Sequence, residues 1–477
     1  MSRQTINDTP LQYQSDDTII ALASGRGAAG VAVIRLSGPA AIAILRQVFR
    51  PRRTAPVDFH NPAETSRLIY GTIVDREGVP LDDCLVVAMP APRTFTGEDV
   101  AEIQCHGSPA VIARILETCI AAGARPAEPG EFSRRAFLNG KMDLAQAEAL
   151  SDLIAANSEA ARRLALRQLR GGLSARIRRL NSDLIDAAAE IEAHLDFPDE
   201  DIPELTQTRV SERMQSALAD MRQLLAGHDK ARLRQEGARV ILAGEPNAGK
   251  SSLFNALVGR ERAIVSPHPG TTRDTIEAVI EIGGLAVTLV DTAGIRESTD
   301  EIERIGIDRT QDEIAQADLI LHLSENPASP GGQPFWPRLE GADPSRVIPV
   351  WTKRDHCPPG TAAVAEAHAS EANPYIEVST ATGHGLADLE ACLRQHLPGV
   401  AAEEESSGEM SRVRQAESLR KAVESTERAF ATFSSGESGD LVMVDLRDAL
   451  MHVGEIIGER LDEQILDRIF STFCLGK

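Results

Sequence analysis

The segment Gly244–Ser251, which reads Gly-Glu-Pro-Asn-Ala-Gly-Lys-Ser, constrains the fold more than any other part of the chain. It fits the spacing G-x-x-x-x-G-K-[ST]. The apolar run Arg239–Ala243 before it predicts a buried strand, and Ser252–Val258 after it predicts the start of a helix. A glycine-rich turn between strand and helix leaves backbone N–H groups free to bind phosphates at the positive end of the helix dipole. We therefore predict a nucleoside triphosphate site, with Lys250 at the β- and γ-phosphates and the Ser251 hydroxyl on Mg²⁺.

Length and composition exclude several classes of protein. The chain has 477 residues, enough for about two to four domains, and 42% of them are apolar, which favours a globular fold. No apolar run approaches the roughly 20 residues of a membrane span, and the N-terminus lacks the apolar core of a signal peptide. The six cysteines show no CxxC pair, which indicates a reducing cytoplasm. Because the net charge is −21, any contact with RNA requires a local basic patch or a partner.

Residues 1–140 are predicted to form an α+β domain. Strands are expected at 18–23, 31–36, 68–74, 84–89 and 100–104, with a hairpin joining the third and fourth, and helices at 40–48 and 111–121. Four polar residues interrupt this pattern: Arg35, Glu102, His106 and Lys141. On pattern alone, an exposed face is the favoured interpretation for each of them, and a functional role is the alternative.

From Leu144 the apolar periodicity becomes helical. One apolar face recurs at spacings of three and four through Ile177, Leu180, Leu184, Ala188, Ile191 and Leu195. That helix is predicted to stop at Phe197-Pro198, and a further helix is predicted over 206–234. Seven arginines and no acidic residue lie between Ala160 and Ser182. Pairing with acids elsewhere in the chain is the favoured interpretation of these arginines, and contact with RNA phosphates is the alternative.

Residues 234–402 alternate strands and helices, as a parallel α/β fold requires. The loop 270–274 contains Thr272, which can complete the Mg²⁺ shell and sense the γ-phosphate. The apolar run 286–290 ends in Asp291-Thr-Ala-Gly294. An Asp at that strand end can hold the Mg²⁺ water shell, and the Gly294 N–H can meet the γ-phosphate.

The segment Thr352–Asp355 predicts which base is bound, because it matches the pattern [NT]KxD. The Asp355 carboxylate can accept from both N1–H and N2–H₂ of guanine, whereas adenine offers no such donor pair. Lys353 is expected along the base, and Ser379–Ala381 is expected where a small loop meets guanine O6. Thr352 replaces the usual Asn, which removes an amide tether to the phosphate loop. We predict a GTPase.

These and other motifs resemble the MnmE (TrmE) family of tRNA-modification GTPases. The resemblance is carried by 247–251, 270–274, 291–296, 301–306, 95–99, 129–133, 136–141, 143–148 and the terminal Cys474-Leu-Gly-Lys477. It extends from near the N-terminus to the last residue, which a generic GTPase domain would not produce.

The resemblance implies a multidomain fold: an α+β N-terminal domain, an all-α helical domain, and an α/β P-loop GTPase domain inserted into the helical domain. The implied boundaries are 1–140 for folate binding and dimerisation, 141–233 and 403–477 for the two parts of the helical domain, and 234–402 for the GTPase domain. The helical segments 411–433 and 441–470 are expected to pack back on residues 142–233. The resemblance also implies a cytoplasmic homodimer that acts with the FAD-containing protein MnmG on the wobble uridine of certain tRNAs, with no membrane contact. A tetrahydrofolate such as 5-formyltetrahydrofolate would supply the one-carbon unit.

The resemblance assigns the following site residues. The GTP-binding set is Asn247, Ala248, Gly249, Lys250, Ser251, Ser252, Ser266, Thr271, Thr272, Asp291, Thr292, Ala293, Gly294, Thr352, Lys353, Asp355, Ser379, Thr380 and Ala381. Within it, Ser251 and Thr272 would bind Mg²⁺, while Asn247, Ser266, His268 and Thr271 would bind K⁺. The folate-contacting set is Arg35, Glu102, Lys141 and Lys477.

The catalytic residue implied by the resemblance is Glu303. Ras-like GTPases orient the attacking water with a Gln directly after Asp-x-x-Gly, but this chain has Ile295 there, which cannot hydrogen-bond. A Glu at 303 could reach the water through a second water molecule. The alternative interpretation is an ordinary acidic residue on a helix surface.

Two other functions compete with this interpretation. A regulatory GTPase switch in ribosome assembly shares the phosphate motifs but usually adds an RNA-binding domain such as KH, and no KH-type G-x-x-G loop is expected after residue 400. A dimer that binds GTP without turnover is disfavoured by the complete set of phosphate and Mg²⁺ residues.

Overall fold

The fold is known from a computed structural model, in which residues 16–25, 27–53, 57–59, 61, 65–196, 204–245, 247–260, 263–264, 276–291, 313–314, 316–325, 342–356, 375–397, 408–459, 461, 463–474 and 476 are described. The chain divides into two units, Met1–Ser151 with Leu450–Lys477, and Asp152–Ala449. In the described part of the chain, no helix has the length and apolar character needed to cross a membrane.

The described residues form the following strands and α-helices. The strands are β1 (Ile19–Leu22), β2 (Ala29–Ser37), β3 (Phe49–Pro51), β4 (Ile69–Val74), β5 (Pro80–Met89), β6 (Val100–Gly107), β7 (Arg125–Pro126), β8 (Ala238–Gly244), β9 (Ala263–Ile264), β10 (Ile276–Ile282), β11 (Leu285–Asp291), β12 (Leu319–Ser324), β13 (Val347–Trp351) and β14 (Ile376–Glu377). The helices are α1 (Ala41–Val48), α2 (Pro109–Ala121), α3 (Glu131–Leu138), α4 (Leu144–Ala155), α5 (Glu159–Leu169), α6 (Gly172–Asp196), α7 (Glu204–Glu236), α8 (Lys250–Arg260), α9 (Leu386–His396), α10 (Val413–Ser434), α11 (Gly439–Ile457) and α12 (Glu463–Ser471).

The first unit is built on a seven-stranded sheet in the order β3-β4-β5-β6-β2-β1-β7. Its alternating apolar residues pack with those of α1 and α2, as in the cluster that contains Ile34, Leu45, Ile103 and Ile115. The register of β2 against β6 places Arg35 directly opposite Glu102. The expected hairpin is formed by β4 and β5, which pair antiparallel.

The last helix of the chain belongs to this first unit. Leu466 and Phe470 of α12 pack with Leu144 and with Ala147. The expected helical segment 441–470 is two helices rather than one, because the chain turns at Gly458, where φ is +87°. A side chain there would have its Cβ 2.7 Å from the Phe137 ring and 2.9 Å from the Leu144 Cβ, so this turn requires glycine.

The second unit contains the long helices α6, α7 and α10, and α7 packs on both of the others. The apolar residues predicted for one face of α6 are buried, among them Ile177, Leu184 and Ile191. The N-terminal turn of α5 reaches the second sheet, since the Ala160 N–H donates to the Gly284 carbonyl between β10 and β11 at 3.1 Å.

Arginines of α5 and α6 pair with acids, as the favoured interpretation of the sequence expected. Arg162 and Arg163 both bind Glu159, at 2.7 Å. Arg167 binds Glu409 at 3.3 Å, and farther along the chain Arg176 binds Asp220 at 3.1 Å. These four guanidinium groups are therefore engaged within the protein.

A buried ionic network fastens α3 to the edge of the first sheet. The Arg135 side chain is 3% exposed and pairs with Asp17 at 2.7 Å, Glu131 at 2.9 Å and Glu98 at 3.2 Å. Arg125 of β7 binds Asp17 and Glu131 as well. Burial raises the pKa of Asp17 and of Glu131, but hydrogen bonds from Arg125 and Arg135 outweigh it, so both pKa values lie below their ordinary range.

The network predicts an acid-sensitive first unit. Because the folded-state pKa values of Asp17 and Glu131 are lowered, their stabilisation is complete above the unfolded-state pKa of about 4 and is lost as pH falls through the folded-state values. Arg135→Met should lower the free energy of unfolding at neutral pH by roughly 3 kcal/mol, since it removes a buried cation that pairs with the largely buried carboxylates of Glu98 and Glu131. Urea unfolding followed by pulsed hydrogen exchange of peptides from β1 and α3 measures both effects. Arg46→Met is the control, because Arg46 and Asp58 form an exposed pair, and a loss as large as that of Arg135→Met would contradict the assignment.

Candidate functional site

The phosphate loop follows β8, and α8 begins at Lys250. The backbone takes left-handed or related positive φ values at Gly244 (+145°), Asn247 (+64°) and Gly249 (+87°). Glycine is required at 244, since a Cβ there would lie 2.2 Å from the Leu323 carbonyl oxygen. The turn therefore passes directly against Leu323 of β12 and leads into α8, as the sequence predicted.

Lys250 lies inside this loop. Its ammonium donates to the carbonyls of Gly244 and Glu245, each at 2.8 Å, and the residue is 8% exposed. Burial lowers the pKa of Lys250, while the nearby Asp291 carboxylate acts in the opposite direction. A bound phosphate would offer this ammonium stronger, anionic acceptors than the two carbonyls.

Asp291 stands at the C-terminal end of β11 and is 1% exposed. Its carboxylate acts electrostatically on the Lys250 ammonium, so the two predicted phosphate-site residues lie near each other. Ser251 and Ser252 lie exposed on the first turn of α8, and Ala248 is buried in the loop before it. A hydroxyl oxygen and a carboxylate are hard donors of the kind that Mg²⁺ takes, so the residues fit that ion.

Asp355 lies in a 3₁₀ turn, Arg354–His356, just after β13. One of its carboxylate oxygens accepts from the Ser379 hydroxyl at 2.7 Å, and the other lies 3.2 Å from His356 Nε2. The Ser379 hydrogen bond lowers the pKa of Asp355 below its ordinary value and so favours the carboxylate form. An ionised carboxylate is the acceptor that guanine N1–H and N2–H₂ require.

The loops after β13 and β14 are joined into one platform. The Val378 N–H donates to the Trp351 carbonyl at 2.7 Å, and the Arg354 guanidinium lies 4.2 Å from the centre of the Trp351 ring. Lys353 has a φ of +55°, and its ammonium binds Glu325 at 3.0 Å. Thr380 and Ala381 follow Ser379 as an exposed turn. The platform thus holds the predicted base-binding residues together.

Thr352 links this platform to the phosphate loop, contrary to the expectation that the tether was lost with Asn. Its hydroxyl lies 2.7 Å from the Ala248 carbonyl and 3.2 Å from the Ser324 carbonyl, so the shorter contact takes its single proton. The side chain is buried, and its Cβ lies 3.7 Å from where a Cβ on Gly249 would be. A hydroxyl therefore replaces the amide as the tether.

A second polar site lies in the first unit, on β2 and β6. The Arg35 guanidinium binds the Glu102 carboxylate at 2.8 Å, and the two side chains are only 16% and 17% exposed. The interpretation of these two as an exposed face is therefore wrong, whereas it is right for His106, whose side chain is 70% exposed. The guanidinium also lies 5.6 Å from the Phe95 ring centre and 5.9 Å from that of Phe132, which gives the site an aromatic wall.

Lys141 lies beside the loop that carries Phe95. Its ammonium donates to the Pro92 carbonyl at 2.7 Å, and its stem lies 3.3 Å from where a Cβ on Gly97 would be. The C-terminal tail reaches β1, since a Cβ on Gly476 would lie 2.1 Å from the Leu22 carbonyl oxygen.

Several predicted site residues lie outside the described residues. They are Ser266, His268, Thr271, Thr272, Thr292, Ala293, Gly294, Glu303 and Lys477.

Sequence reasoning missed three features of these sites. Phe132 flanks Arg35, but the apolar pattern does not distinguish Phe132 from a phenylalanine that only fills the core, so this contact could not be predicted. The Ser379 side chain donates a hydrogen bond to Asp355 and lowers its pKa, whereas only the Ser379 backbone loop had been expected to act. The Thr352 tether could have been found, since a Thr hydroxyl can also donate to a carbonyl.

The phosphate loop, the buried Asp291 and the linked Thr352–Asp355 platform define a P-loop GTPase domain. The chain carries it together with an α+β unit and long helices. Residues 18–141 match the family described as "GTP-binding protein TrmE N-terminus", and residues 144–474 match the "MnmE helical domain" family. The chain belongs to the MnmE family of tRNA modification GTPases.

Relatives called "tRNA modification GTPase MnmE" match over nearly their whole length. The protein of Symbiobacterium thermophilum is 41% identical over 462 residues, which cover 97% of this chain and 100% of the relative. That of Geobacter metallireducens is 41% identical over 468 residues, covering 97% and 99%. That of Chloroflexus aurantiacus is 41% identical over 472 residues, covering 97% and 100%.

The tether predicts a loss of nucleotide affinity when the Thr352 hydroxyl is removed. Thr352→Val should raise the dissociation constant of a fluorescent GDP analogue roughly tenfold, because it leaves the buried Ala248 carbonyl without its donor. Thr352→Ser and Thr352→Asn keep a donor and should bind within about threefold of wild type. Equal affinity of the Val and Ser variants would show that the hydroxyl tether is unimportant.

Proposed function

We propose that this protein hydrolyses GTP and, together with the FAD-containing protein MnmG, carries out 5-(carboxymethyl)aminomethyl modification of the wobble uridine in certain tRNAs. The observation that carries the proposal is the assembly of Lys250, Asp291, Thr352 and Asp355 at the carboxyl ends of the parallel strands β8, β11 and β13. The relatives named above support the tRNA part, since they are called tRNA modification GTPases and match 97% of the chain.

The GTP chemistry is assigned to this chain's own groups. Lys250 would neutralise charge on the β- and γ-phosphates, with Ser251 and Thr272 as Mg²⁺ ligands. Asn247, in its left-handed turn, would hold a potassium ion with Ser266, His268 and Thr271. That ion would supply positive charge between the β- and γ-phosphates. Glu303 would orient the attacking water through a second water molecule.

The first unit is proposed to bind a tetrahydrofolate. A folate carries a hydrogen-bonding pterin and a glutamate tail, and the pair Arg35 and Glu102 offers a cation and an acceptor beside the Phe95 ring. Lys141 keeps two ammonium protons beyond its bond to Pro92. Gly476 lies against the end of β1, whose Ala21 pairs with Arg35, and this supports a place for Lys477 at the same site.

The protein is proposed to act as a cytoplasmic homodimer, with MnmG and tRNA as its partners. Juxtaposed GTPase domains of the dimer would complete the hydrolytic site. The net charge of −21 and the internally paired arginines of α5 and α6 indicate that tRNA is not held by a broad basic surface of this chain.

Replacing the Asp355 carboxylate tests which nucleotide base the protein prefers. Asp355→Asn should shift preference from guanosine to xanthosine nucleotides, because the N1–H and O2 edge of xanthine matches an amide. Competition binding with GTP, XTP and ATP measures this, and Asp388→Asn in α9 is the matched control at an exposed position. Equal binding of ATP and GTP by the wild-type protein would refute guanine recognition.

Exchanging sodium for potassium and replacing Glu303 test how GTP hydrolysis is catalysed. Turnover should rise when sodium is replaced by potassium at constant ionic strength. Glu303→Ala should lower kcat by roughly 10²-fold, the scale of lost water positioning, with nucleotide affinity nearly unchanged. Glu301→Ala controls for loss of a neighbouring acid. Turnover that responds to neither potassium nor Glu303 would sink this assignment.

A regulatory GTPase of ribosome assembly is the alternative. Contrary to expectation, the spacing G-x-x-G does occur after residue 400, as Gly436-Glu-Ser-Gly439. It joins α10 to α11 and carries an acid, and the described residues after 407 contain no strand, whereas a KH loop clamps a nucleic-acid backbone. The G-x-x-G segment therefore does not favour the alternative.

A further inference from the structure

The loop Pro92–Asp99 places Phe95 beside the Arg35 guanidinium. The ring centre lies 5.6 Å from the guanidinium carbon, and Phe95 also packs on the small apolar cluster of Ile19, Ala21 and Phe132. An aromatic face next to a partly buried cation can accept a planar heterocycle on one side while the cation stays fixed. The position of this loop therefore sets the shape of the site.

The later half of the loop is fastened from the strand side. Glu98 accepts from the Ser37 hydroxyl at 2.7 Å and from Arg135 at 3.2 Å, and its carbonyl accepts from the Thr94 hydroxyl at 2.6 Å. The hydroxyls of Ser37 and Thr96 lie 2.7 Å apart. These contacts fix the residues on either side of Phe95.

The segment after α3 fastens the same loop from its other face. The Asn139 side-chain amide donates to the Thr96 carbonyl at 2.8 Å, directly after Phe95. Gly97, with a φ of +80°, leaves room for Asn139, whose Cβ lies 3.2 Å from where a Cβ on Gly97 would be. The Asn139 bond thus completes a clamp around Phe95.

We propose that Asn139 is a positioning residue of the first-unit site, which holds the loop so that Phe95 stays against Arg35. The proposal rests on the proposed folate function of that site. Asn139 acts through Phe95 and does not itself need to touch the ligand. Asn139 is the C-cap of α3 through its backbone N–H, which binds the Arg135 carbonyl at 2.9 Å, and a replacement of the side chain keeps this backbone bond.

The test is a double-mutant cycle in the full-length chain, with 5-formyltetrahydrofolate as the probe. Asn139→Ala and the isosteric Asn139→Asp both remove the donor to Thr96, and each should weaken binding roughly three- to tenfold. In a Phe95→Leu background the same replacements should change affinity by less than about twofold, because the residue they act through is gone. Gln47→Ala, an exposed amide on α1, is the control. GDP affinity and the thermal midpoint should stay at wild-type values.

Three outcomes contradict the proposal. Wild-type affinity in both Asn139 variants overturns the positioning role. A loss that is equal with and without Phe95 shows that Asn139 has a general structural role. Arg35→Ala, measured in parallel, distinguishes the folate function of the site from the positioning role of Asn139. If Arg35→Ala weakens folate binding while the Asn139 variants do not, only the positioning role fails. If the wild-type protein does not bind the folate, the proposed folate function fails and the positioning role falls with it.

Discussion

The carboxyl edge of the second sheet is the constraint on which the nucleotide site depends. β8 pairs parallel with both β11 and β12, so Gly244, Asp291 and Ser324 end at the same edge. The phosphate loop can turn there only because Gly244 has no side chain to meet the Leu323 carbonyl. The Thr352 hydroxyl then reaches the loop from the end of β13. The phosphate loop and the Thr352–Asp355 platform are thus joined through a buried hydrogen bond.

The first unit is held by a different kind of interaction. Arg135 is almost fully buried, and the carboxylates that surround it come from the start of the sheet, the Phe95 loop and its own helix. Such a network is costly to break, because a lone buried charge would remain. The same arginine fastens the loop beside Arg35, so the stability of this unit and the shape of its polar site depend on the same contacts. The C-terminal helix α12 closes the unit by packing on Leu144.

Much of this architecture could be predicted from the sequence, and the failures have physical causes. The apolar runs predicted the central strands, but β5 begins at Pro80 rather than at the predicted Cys84. The prediction started too late because Asp82 and Asp83 interrupt the apolar pattern at the beginning of this strand. Both acids are satisfied across the sheet, Asp82 by His106 and Asp83 by Thr72. Arg35 and Glu102 looked exposed because their partners are each other, 67 positions apart along the chain. The phosphate loop was predictable because its spacing follows from local backbone geometry.

The measurement that tests the central claim most directly is mass spectrometry of tRNA nucleosides from a strain that lacks this gene. The account predicts that the modified wobble uridine disappears from a subset of tRNAs and returns when the wild-type chain is expressed. A chain with Lys250→Ala should not restore it, since that ammonium is needed at the phosphates. Unchanged wobble uridines in the deletion strain, with immature ribosomal subunits accumulating instead, would contradict the account and favour the ribosome-assembly switch.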